Sequence, residues 1–125
     1  MSEKNKEIVA KADAAFAEGN IEGFLSLCSE DVEWTMVGAQ FMKGKDAIRQ
    51  WLTSMKSEPP KFTFVNVIAE KDFATAHGDL TMKDNDGKLV PYSYCDIYRF
   101  RNDKIVELRS FVIKTEAMRK SISGA

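Results

Sequence analysis

The apolar residues of this chain change their spacing near Lys61, and that change restricts the folds open to the sequence. Upstream they recur with a helical period, as Ile8, Ala12 and Ala15 do, whereas downstream they alternate as they do in strands. Helices followed by an antiparallel meander predict an α+β architecture. The 125 residues are enough for one domain, so residues 1–125 are predicted to fold as a single unit.

Three helices are predicted upstream of that change. The first runs from about Glu3 to Glu18, and Asn20 caps a short second helix that turns Cys28 inward. The third follows Gly44 and is stopped by Pro59-Pro60. Its buried side is expected to consist of four apolar residues: Ile48, Trp51, Leu52 and Met55.

Five strands are predicted. The segment "EDVEWTMV", residues 30–37, alternates and places Val32, Trp34 and Met36 on one face. The tail, residues 115–125, is expected to be frayed or weakly helical. The other four strands lie downstream of the change in spacing: Phe62–Glu70, Phe73–Met82, Leu89–Phe100 and Ile105–Lys114.

One of these strands carries a carboxylate among aromatic rings. In "YSYCDIYRF", counting by twos places Asp96 on one face with four aromatic residues: Tyr92, Tyr94, Tyr98 and Phe100. Burial there would raise the pKa of the carboxyl by up to roughly 3–5 units. A proton held near neutral pH is what general acid–base catalysis needs. The alternative is that this face is solvated and the tyrosines are surface residues.

The hairpin before that strand predicts a partner for Asp96. "NDGK", residues 85–88, fits a two-residue type I′ turn with Asp86-Gly87 at its tip. In that register His77 lies opposite Asp96, with Cβ atoms about 4.5–5.5 Å apart. A bulge near Pro91 would shift the register by one residue. Two further pairs follow from the same register: Asp79 with Tyr94, and Thr75 with Tyr98.

The predicted pair of His77 and Asp96 leaves two protonation states open, an ion pair or a neutral acid beside a neutral imidazole. Either state would hold a proton near neutral pH. The alternative is an ion pair that only fixes the register, although a buried pair gains little stability once desolvation is counted.

The composition excludes several classes of function. The net charge is −1 without long runs of one sign, which argues against nucleic acid as a partner. No apolar stretch is long enough to span a bilayer, and "MSEKNKEIV" is too charged for a secretory signal, so the cytoplasm is the expected location. Two cysteines, Cys28 and Cys95, and one histidine predict neither a disulfide framework nor a metal site. No cofactor is expected.

Three segments give the chain a family resemblance: "AEGNIEGFLSLCSEDVEW", "GKDAIRQWL" and "CDIYRFRNDKIVELRSF". In this order the sequence resembles the nuclear transport factor 2-like superfamily, which includes ketosteroid isomerases and SnoaL-like polyketide cyclases. The resemblance covers nearly the whole chain. It implies a cone-shaped, curved antiparallel sheet wrapped on about three N-terminal helices around an open pocket, the cystatin-like or ketosteroid isomerase-like fold. It also implies a homodimer through the outer face of the sheet.

The resemblance to ketosteroid isomerases preserves one catalytic group of three. Their protonated aspartate, a carboxylic acid kept neutral by an apolar site, aligns with Asp96. Their general-base aspartate aligns with Trp34 and their oxyanion tyrosine with Ala12. Steroid isomerisation by that mechanism is therefore not expected.

Two other relatives bear on the chemistry. Limonene epoxide hydrolase uses an Arg-x-Asp motif and a second aspartate, which align with His77-Gly78-Asp79 and Ser110, so two of its groups are missing. In polyketide cyclases a histidine and an aspartate on neighbouring strands are implicated in acid–base chemistry. The resemblance assigns those catalytic parts to His77 and Asp96.

The residues and the resemblance together predict a ligand pocket and a dimer face. For Trp51 and Met55 the alternative is ordinary packing between helix and sheet. The predicted ligand-binding residues are Trp34, Met36, Trp51, Met55, Asp79, Tyr94, Tyr98, Leu108 and Ser110. The predicted outer face carries Cys95, Ile97, Phe111 and Ile113 beside Arg99 and Arg109, a mixture that suits a two-fold interface. The alternative is a monomer with an amphipathic outer sheet.

Three functions remain open from the sequence. The first is cofactor-free acid–base catalysis, of isomerase or cyclase type, on an apolar carbonyl or polycyclic compound. The second is a binding module for a small apolar or aromatic ligand without turnover. The third is a dimerisation module of the same fold.

Overall fold

The computed structural model describes residues 2–55 and 58–115. Within them, no helix is both long enough and apolar enough to cross a membrane. The expectation for the tail falls almost wholly on residues outside the described part. The helices are α1 (Ser2–Glu18), α2 (Ile21–Leu25) and α3 (Lys45–Ser54). The strands are β1 (Cys28–Met36), β2 (Gln40–Lys43), β3 (Lys61–Glu70), β4 (Phe73–Lys83), β5 (Leu89–Arg101) and β6 (Lys104–Lys114).

The strands form one sheet in the order β2-β1-β6-β5-β4-β3. Four of its neighbouring pairs are antiparallel, but β1 runs parallel to β6. The predicted α+β cone is confirmed, and the expected antiparallel sheet is corrected to a mixed one. A parallel pair needs a long connection, and most of the chain lies between β1 and β6.

Two local details differ from the sequence prediction. The strand β2 was not expected, because its four residues are too few to show a period, yet it pairs with β1 through Trp34 and Met42. Cys28 begins β1 instead of ending α2. The predicted cap is confirmed, since the Asn20 side chain accepts a hydrogen bond of 2.9 Å from the Gly23 amide.

The helices cover one face of the sheet, called here the inner face. α1 packs on β3 and β4, whereas α3 packs on β1 and β2. The predicted apolar stripe of α1 is buried, and so is Ile48 of α3. Met55 lies one residue past the end of α3 and is 44% exposed, so it is less buried than its spacing predicted. The core therefore lies between the helices and the inner face.

The hairpin between β4 and β5 is one residue out of the predicted register. Its paired strands end at Lys83 and Leu89, which leaves a five-residue loop instead of a two-residue turn. The Asp84 carboxylate holds this loop by accepting 2.9 Å hydrogen bonds from the amides of Asp86 and Lys88. Gly87 supplies the positive φ of +80° that the loop requires.

Hydrophobic burial explains why this register forms. Ala74, Ala76 and Leu80 of β4 are buried on the inner face. A slip of one residue would exchange them for the polar alternate positions of the strand. The observed register keeps those three apolar side chains inside and sets Tyr94 and Tyr98 of β5 on the same face.

Candidate functional site

Asp96 lies on the inner face of β5, as its aromatic surroundings predicted. Its neighbours across the sheet are the buried Ala76 on β4 and Ser110 on β6. Burial raises the pKa of the Asp96 carboxyl to about 7, a hydrogen bond from the Ser110 hydroxyl opposes that rise, and the charge of Asp13 adds to it. The side chain is half-buried. Asp96 is therefore a carboxylic acid that still holds protons near neutral pH.

Asp13 on α1 is a second inward carboxyl, which the sequence reasoning missed. Its Oδ1 atom is buried and has no hydrogen-bond partner within the described part of the chain. Burial raises the pKa of the Asp13 carboxyl to about 6. The signal was present, because Val9, Asp13 and Phe16 fall at i, i+4 and i+7 and so share one helix face.

Two tyrosines from β5 complete the polar centre. Tyr98 is fully buried and Tyr94 is 5% exposed, yet neither hydroxyl has a hydrogen-bond partner among residues 2–55 and 58–115. Burial raises the pKa of both phenols, and the charges of Asp13 and Asp96 raise it further. Both tyrosines therefore remain proton donors at neutral pH. We call Asp13, Tyr94, Asp96, Tyr98 and Ser110 the inner acid cluster.

Three rings, here called the aromatic layer, orient Ser110 and thereby Asp96: Phe16, Trp34 and Trp51. The Trp34 indole Nε1 donates a 2.9 Å hydrogen bond to the Ser110 Oγ. The Trp34 ring packs edge-on against Trp51 at 5.4 Å between centroids and lies 5.7 Å from the ring of Phe16. Trp34 is thus fixed on both sides, and the hydroxyl of Ser110 is held between its indole and the Asp96 carboxyl.

His77 is on the opposite face of the sheet from Asp96, so the predicted pair does not form. His77 lies opposite Cys95, and the Asn66 Nδ2 atom lies 3.1 Å from its Nε2 atom. The physical reason is the five-residue loop, which moves every β4 side chain by one position relative to β5. The catalytic pairing of His77 with Asp96 is therefore wrong.

The other two pairs of that register are wrong for the same reason. Asp79 faces Ser93, whose hydroxyl donates a 2.8 Å hydrogen bond to the Asp79 Oδ1 atom on the outer face. Asp79 is exposed and does not line the inside of the cone. Thr75 lies opposite Ile97 instead of Tyr98.

The remaining predicted ligand-binding residues lie at different depths. Met36 and Trp51 are partly buried against the core. Met55 borders a groove of about 400 Å³ at the end of α1, together with Ala15, Phe16, Leu52, Pro59 and Met82. The groove thus reaches the aromatic layer at Phe16, and none of the five residues of the inner acid cluster borders it. Five more predicted residues are buried in the core: Trp34, Tyr94, Tyr98, Leu108 and Ser110.

The described residues around the inner acid cluster offer few ligands for a metal ion. Within the described ranges, no three His, Cys, Asp or Glu side chains stand close enough together to hold a metal ion. The two inward carboxyls have raised pKa values, which weakens them as ligands because a metal binds the ionised form. The arrangement suits proton transfer better than coordination.

The chain matches a family model and many solved structures. The model of the SnoaL-like domain matches residues 9–108. No curated protein sequence matches the chain. An NTF2-like protein from Burkholderia xenovorans LB400 is 20% identical, with a TM-score of 0.78, and the match covers 95% of this chain and 96% of that one.

Two other solved structures carry names that refer to chemistry. A protein from Xanthomonas campestris pv. campestris, described as a "putative polyketide cyclase", is 16% identical with a TM-score of 0.80, covering 98% of this chain and 96% of that one. TerC, co-crystallised with polyporic acid, is 19% identical with a TM-score of 0.77, covering 96% and 98%. At these identities the likeness concerns the fold alone.

Proposed function

This chain belongs to the SnoaL-like domain family, and from that premise we propose that it binds a small, partly apolar carbonyl compound and moves a proton on it without a cofactor. The observation that carries the proposal is the inner acid cluster. It combines a carboxyl of raised pKa with two buried tyrosine hydroxyls that lack partners among the described residues. These three side chains lie on the inner face of β5 among buried apolar residues, and ligand sites likewise combine an apolar lining with a few polar groups.

Asp96 is the proton donor of this proposal. Its pKa of about 7 leaves a large share of the carboxyl protonated at neutral pH. A carbonyl oxygen beside it would accept that proton as negative charge develops there, while the hydroxyls of Tyr94 and Tyr98 offer further hydrogen bonds. General acid catalysis of this kind contributes about 10²–10⁴-fold to a rate.

The substrate class is supported by shape and by likeness. The groove of about 400 Å³ falls within the usual volume of small-molecule pockets, and its lining is mostly apolar. A fold relative was crystallised with polyporic acid, and another is described as a "putative polyketide cyclase". A flat or polycyclic carbonyl compound agrees with all three observations.

Hydrogen exchange at carbon tests the proposal. The protein is incubated in D₂O with a panel of apolar ketones, and deuterium uptake next to the carbonyl is followed by proton NMR. We expect metal-independent exchange that Asp96→Asn slows by about 100-fold. Asp79→Asn makes the same charge change on the outer face and should leave the rate unchanged. Exchange that is equally fast in Asp96→Asn would contradict the proposal.

A ligand-binding module without turnover is the second candidate, and one observation favours it. The groove is bordered by none of the five residues of the inner acid cluster. A ligand could therefore bind there without touching Asp96. This second function would be supported by ligand binding that Leu52→Ala weakens and Asp96→Asn leaves unchanged. The protein would then show no hydrogen exchange at carbon.

We propose that the chain forms a homodimer through the outer face of the sheet. The sequence predicted Cys95, Ile97, Phe111 and Arg109 on this side of the sheet, where Cys95 lies opposite Phe111 and Ile97 opposite Arg109. Ile113 is 66% exposed on the same side. The guanidinium of Arg109 lies 5.8 Å from the centroid of the Phe111 ring. Apolar residues beside arginine suit the centre of a two-fold interface.

The cytoplasm is the proposed location. Both cysteines, Cys28 and Cys95, are free thiols. Free thiols are typical of reducing compartments. Fractionation of cells that express the tagged protein would check this location.

A further inference from the structure

We propose that the groove at the end of α1 binds an organic cation, with the apolar body of the ligand against Phe16 and its ammonium group at Glu18 and Glu58. This inference deepens the proposed function, because it rests on the same groove and adds a basic amine to the expected ligand. It does not depend on proton transfer by Asp96.

The first observation is the sign of the charge around the groove. Two charged residues, Glu18 and Glu58, are among the described residues that line it, and both are acidic. The rest of that lining is formed by apolar side chains together with Gly19 and Asn20. Charges of one sign beside an apolar wall raise the local concentration of ions of the opposite sign. The groove therefore favours a cationic ligand over a neutral or an anionic one.

The second observation is that the two carboxylates stand on segments that touch each other. Glu18 is followed by Gly19, and Glu58 is followed by Pro59. A Cβ atom added to Gly19 would lie only 3.1 Å from the Cγ atom of Pro59. Each carboxylate is thus one residue away from this contact, and one ammonium group at that end of the groove would be near both.

The third observation is that Glu18 lies where a helix least favours a carboxylate. It is the last residue of α1, and the last turn of this helix contains no basic residue. The C-terminal end of a helix carries about half a negative charge, so a cation is stabilised there and an anion is not. The ion pairs between described residues do not include Glu18. A bound ammonium group would supply the positive charge that this helix end lacks.

Glu58 can accept a ligand while it keeps its present partner. Its Oε1 atom lies 3.2 Å from the Nζ atom of Lys83, and the two side chains are 66% and 43% exposed. Ion pairs as exposed as this one contribute little to stability. A carboxylate also offers about four lone-pair sites on its two oxygens. Glu58 therefore has acceptor capacity left for an ammonium group in the groove.

The apolar wall of the groove is held in place before a ligand arrives. The centroid of the Phe16 ring lies 4.6 Å from that of Phe24 and 5.7 Å from that of Trp34. An aromatic ring packs against flat apolar bodies and attracts cations to its face. Met55 and Met82 also line the groove, and their flexible thioether side chains adapt to ligands of different shape. The ligand class is therefore a flat or aromatic compound with a basic amine.

The experiment compares three naphthalene compounds of similar size that carry different charges: naphthylmethylamine, naphthylmethanol and naphthoate. Binding of each compound is measured by isothermal titration calorimetry at neutral pH for the wild type, Glu18→Gln, Glu58→Gln and the double variant. We expect the wild type to prefer the amine, with naphthoate bound most weakly. Each substitution should weaken binding of the amine by about threefold to fivefold, the size of one exposed ion pair. Binding of the alcohol should not change.

Three controls locate the effect. Glu7→Gln removes an exposed carboxylate from the same helix at a position that does not border the groove, and should match the wild type. Leu52→Ala removes apolar lining and should weaken all three compounds alike. Raising the ionic strength from about 0.01 M to about 1 M shortens the Debye length from about 30 Å to about 3 Å. This change should reduce the preference for the amine over the alcohol.

The outcomes separate this inference from the proposed proton transfer. An amine that binds no more tightly than the alcohol overturns the inference, and so does a preference that survives in the double variant. A wild type that binds none of the three compounds overturns it as well. Proton transfer is judged by exchange on uncharged ketones, which is a different measurement. A wild type that prefers the amine but exchanges no ketone supports this inference and contradicts the proton transfer.

Discussion

Asp96 shows how one residue can work against the stability of the domain that holds it. The unfolded carboxyl ionises near its ordinary pKa of 3.8, whereas the folded one keeps its proton up to a pKa of about 7. The folded state therefore binds more protons between these values, and the stability of the wild type falls as the pH rises through them. Asp13 adds to the same trend, with a pKa of about 6.

Replacing Asp96 with Asn should therefore stabilise the protein at high pH. We expect the gain in unfolding free energy to be small at pH 4 and on the order of 4 kcal/mol at pH 8, the size of a three-unit pKa shift. Urea titrations at both pH values measure it. Asp79→Asn, which replaces an exposed carboxylate on the outer face, is the matched control. An equal effect at the two pH values would contradict the burial of Asp96.

The Ser110 hydroxyl sets how far the pKa of Asp96 rises. Its hydrogen bond favours the ionised form and so lowers that pKa against the effect of burial. We expect Ser110→Ala to raise the pKa of Asp96 further, read from carboxyl carbon NMR titrations. Ser93→Ala removes the hydroxyl that donates to Asp79 on the other face. This control should leave the pKa of Asp96 unchanged.

At the scale of elements, the hairpin loop decides which side chains meet inside. The sequence predicted the three helices, five of the six described strands and the inward position of Asp96, because each follows from a local period. It did not predict the partner of Asp96, because register depends on loop length and "NDGK" fits both a two-residue turn and part of a longer loop. The apolar side chains Ala74, Ala76 and Leu80 were the better guide to register. The inward position of Asp13 was not predicted, because a single polar residue within an apolar stripe does not change the helical period of that stripe.

The Asp84 carboxylate should stabilise that loop measurably. It accepts hydrogen bonds from two loop amides, at Asp86 and Lys88. Asp84→Ala should therefore lower the free energy of unfolding by about 1 kcal/mol, measured by thermal or urea denaturation. Asp86→Ala leaves both bonds in place and serves as the control. A loss of the same size in both variants would show that loop charge, not the two bonds, is responsible.

At the scale of the whole molecule, the sheet separates the proposed active site from the proposed dimer interface. Its inner face carries the carboxyl of the proposed chemistry, and its outer face carries the proposed dimer contact. The cone fold could be predicted from the sequence, because the three segments that resemble the family span nearly the whole chain and occur in the family's order. The state of assembly could not, because an amphipathic outer face fits either a monomer or a dimer.

A charge on the outer face should disrupt the proposed dimer. We expect Ile113→Lys to convert a dimeric wild type to a monomer in light scattering coupled to size-exclusion chromatography. Met55→Lys introduces the same charge at the groove, away from the outer face, and should remain dimeric. A wild type that is monomeric at all concentrations tested would contradict the dimer.

The parallel pairing of β1 with β6 has a consequence for synthesis. β6 leaves the ribosome after the other five strands of the described residues, yet it occupies the middle of the sheet, between β1 and β5. Until it emerges, both neighbours present unpaired backbone amides and carbonyls, which are open to aberrant association. The sheet therefore cannot be completed strand by strand in the order of synthesis.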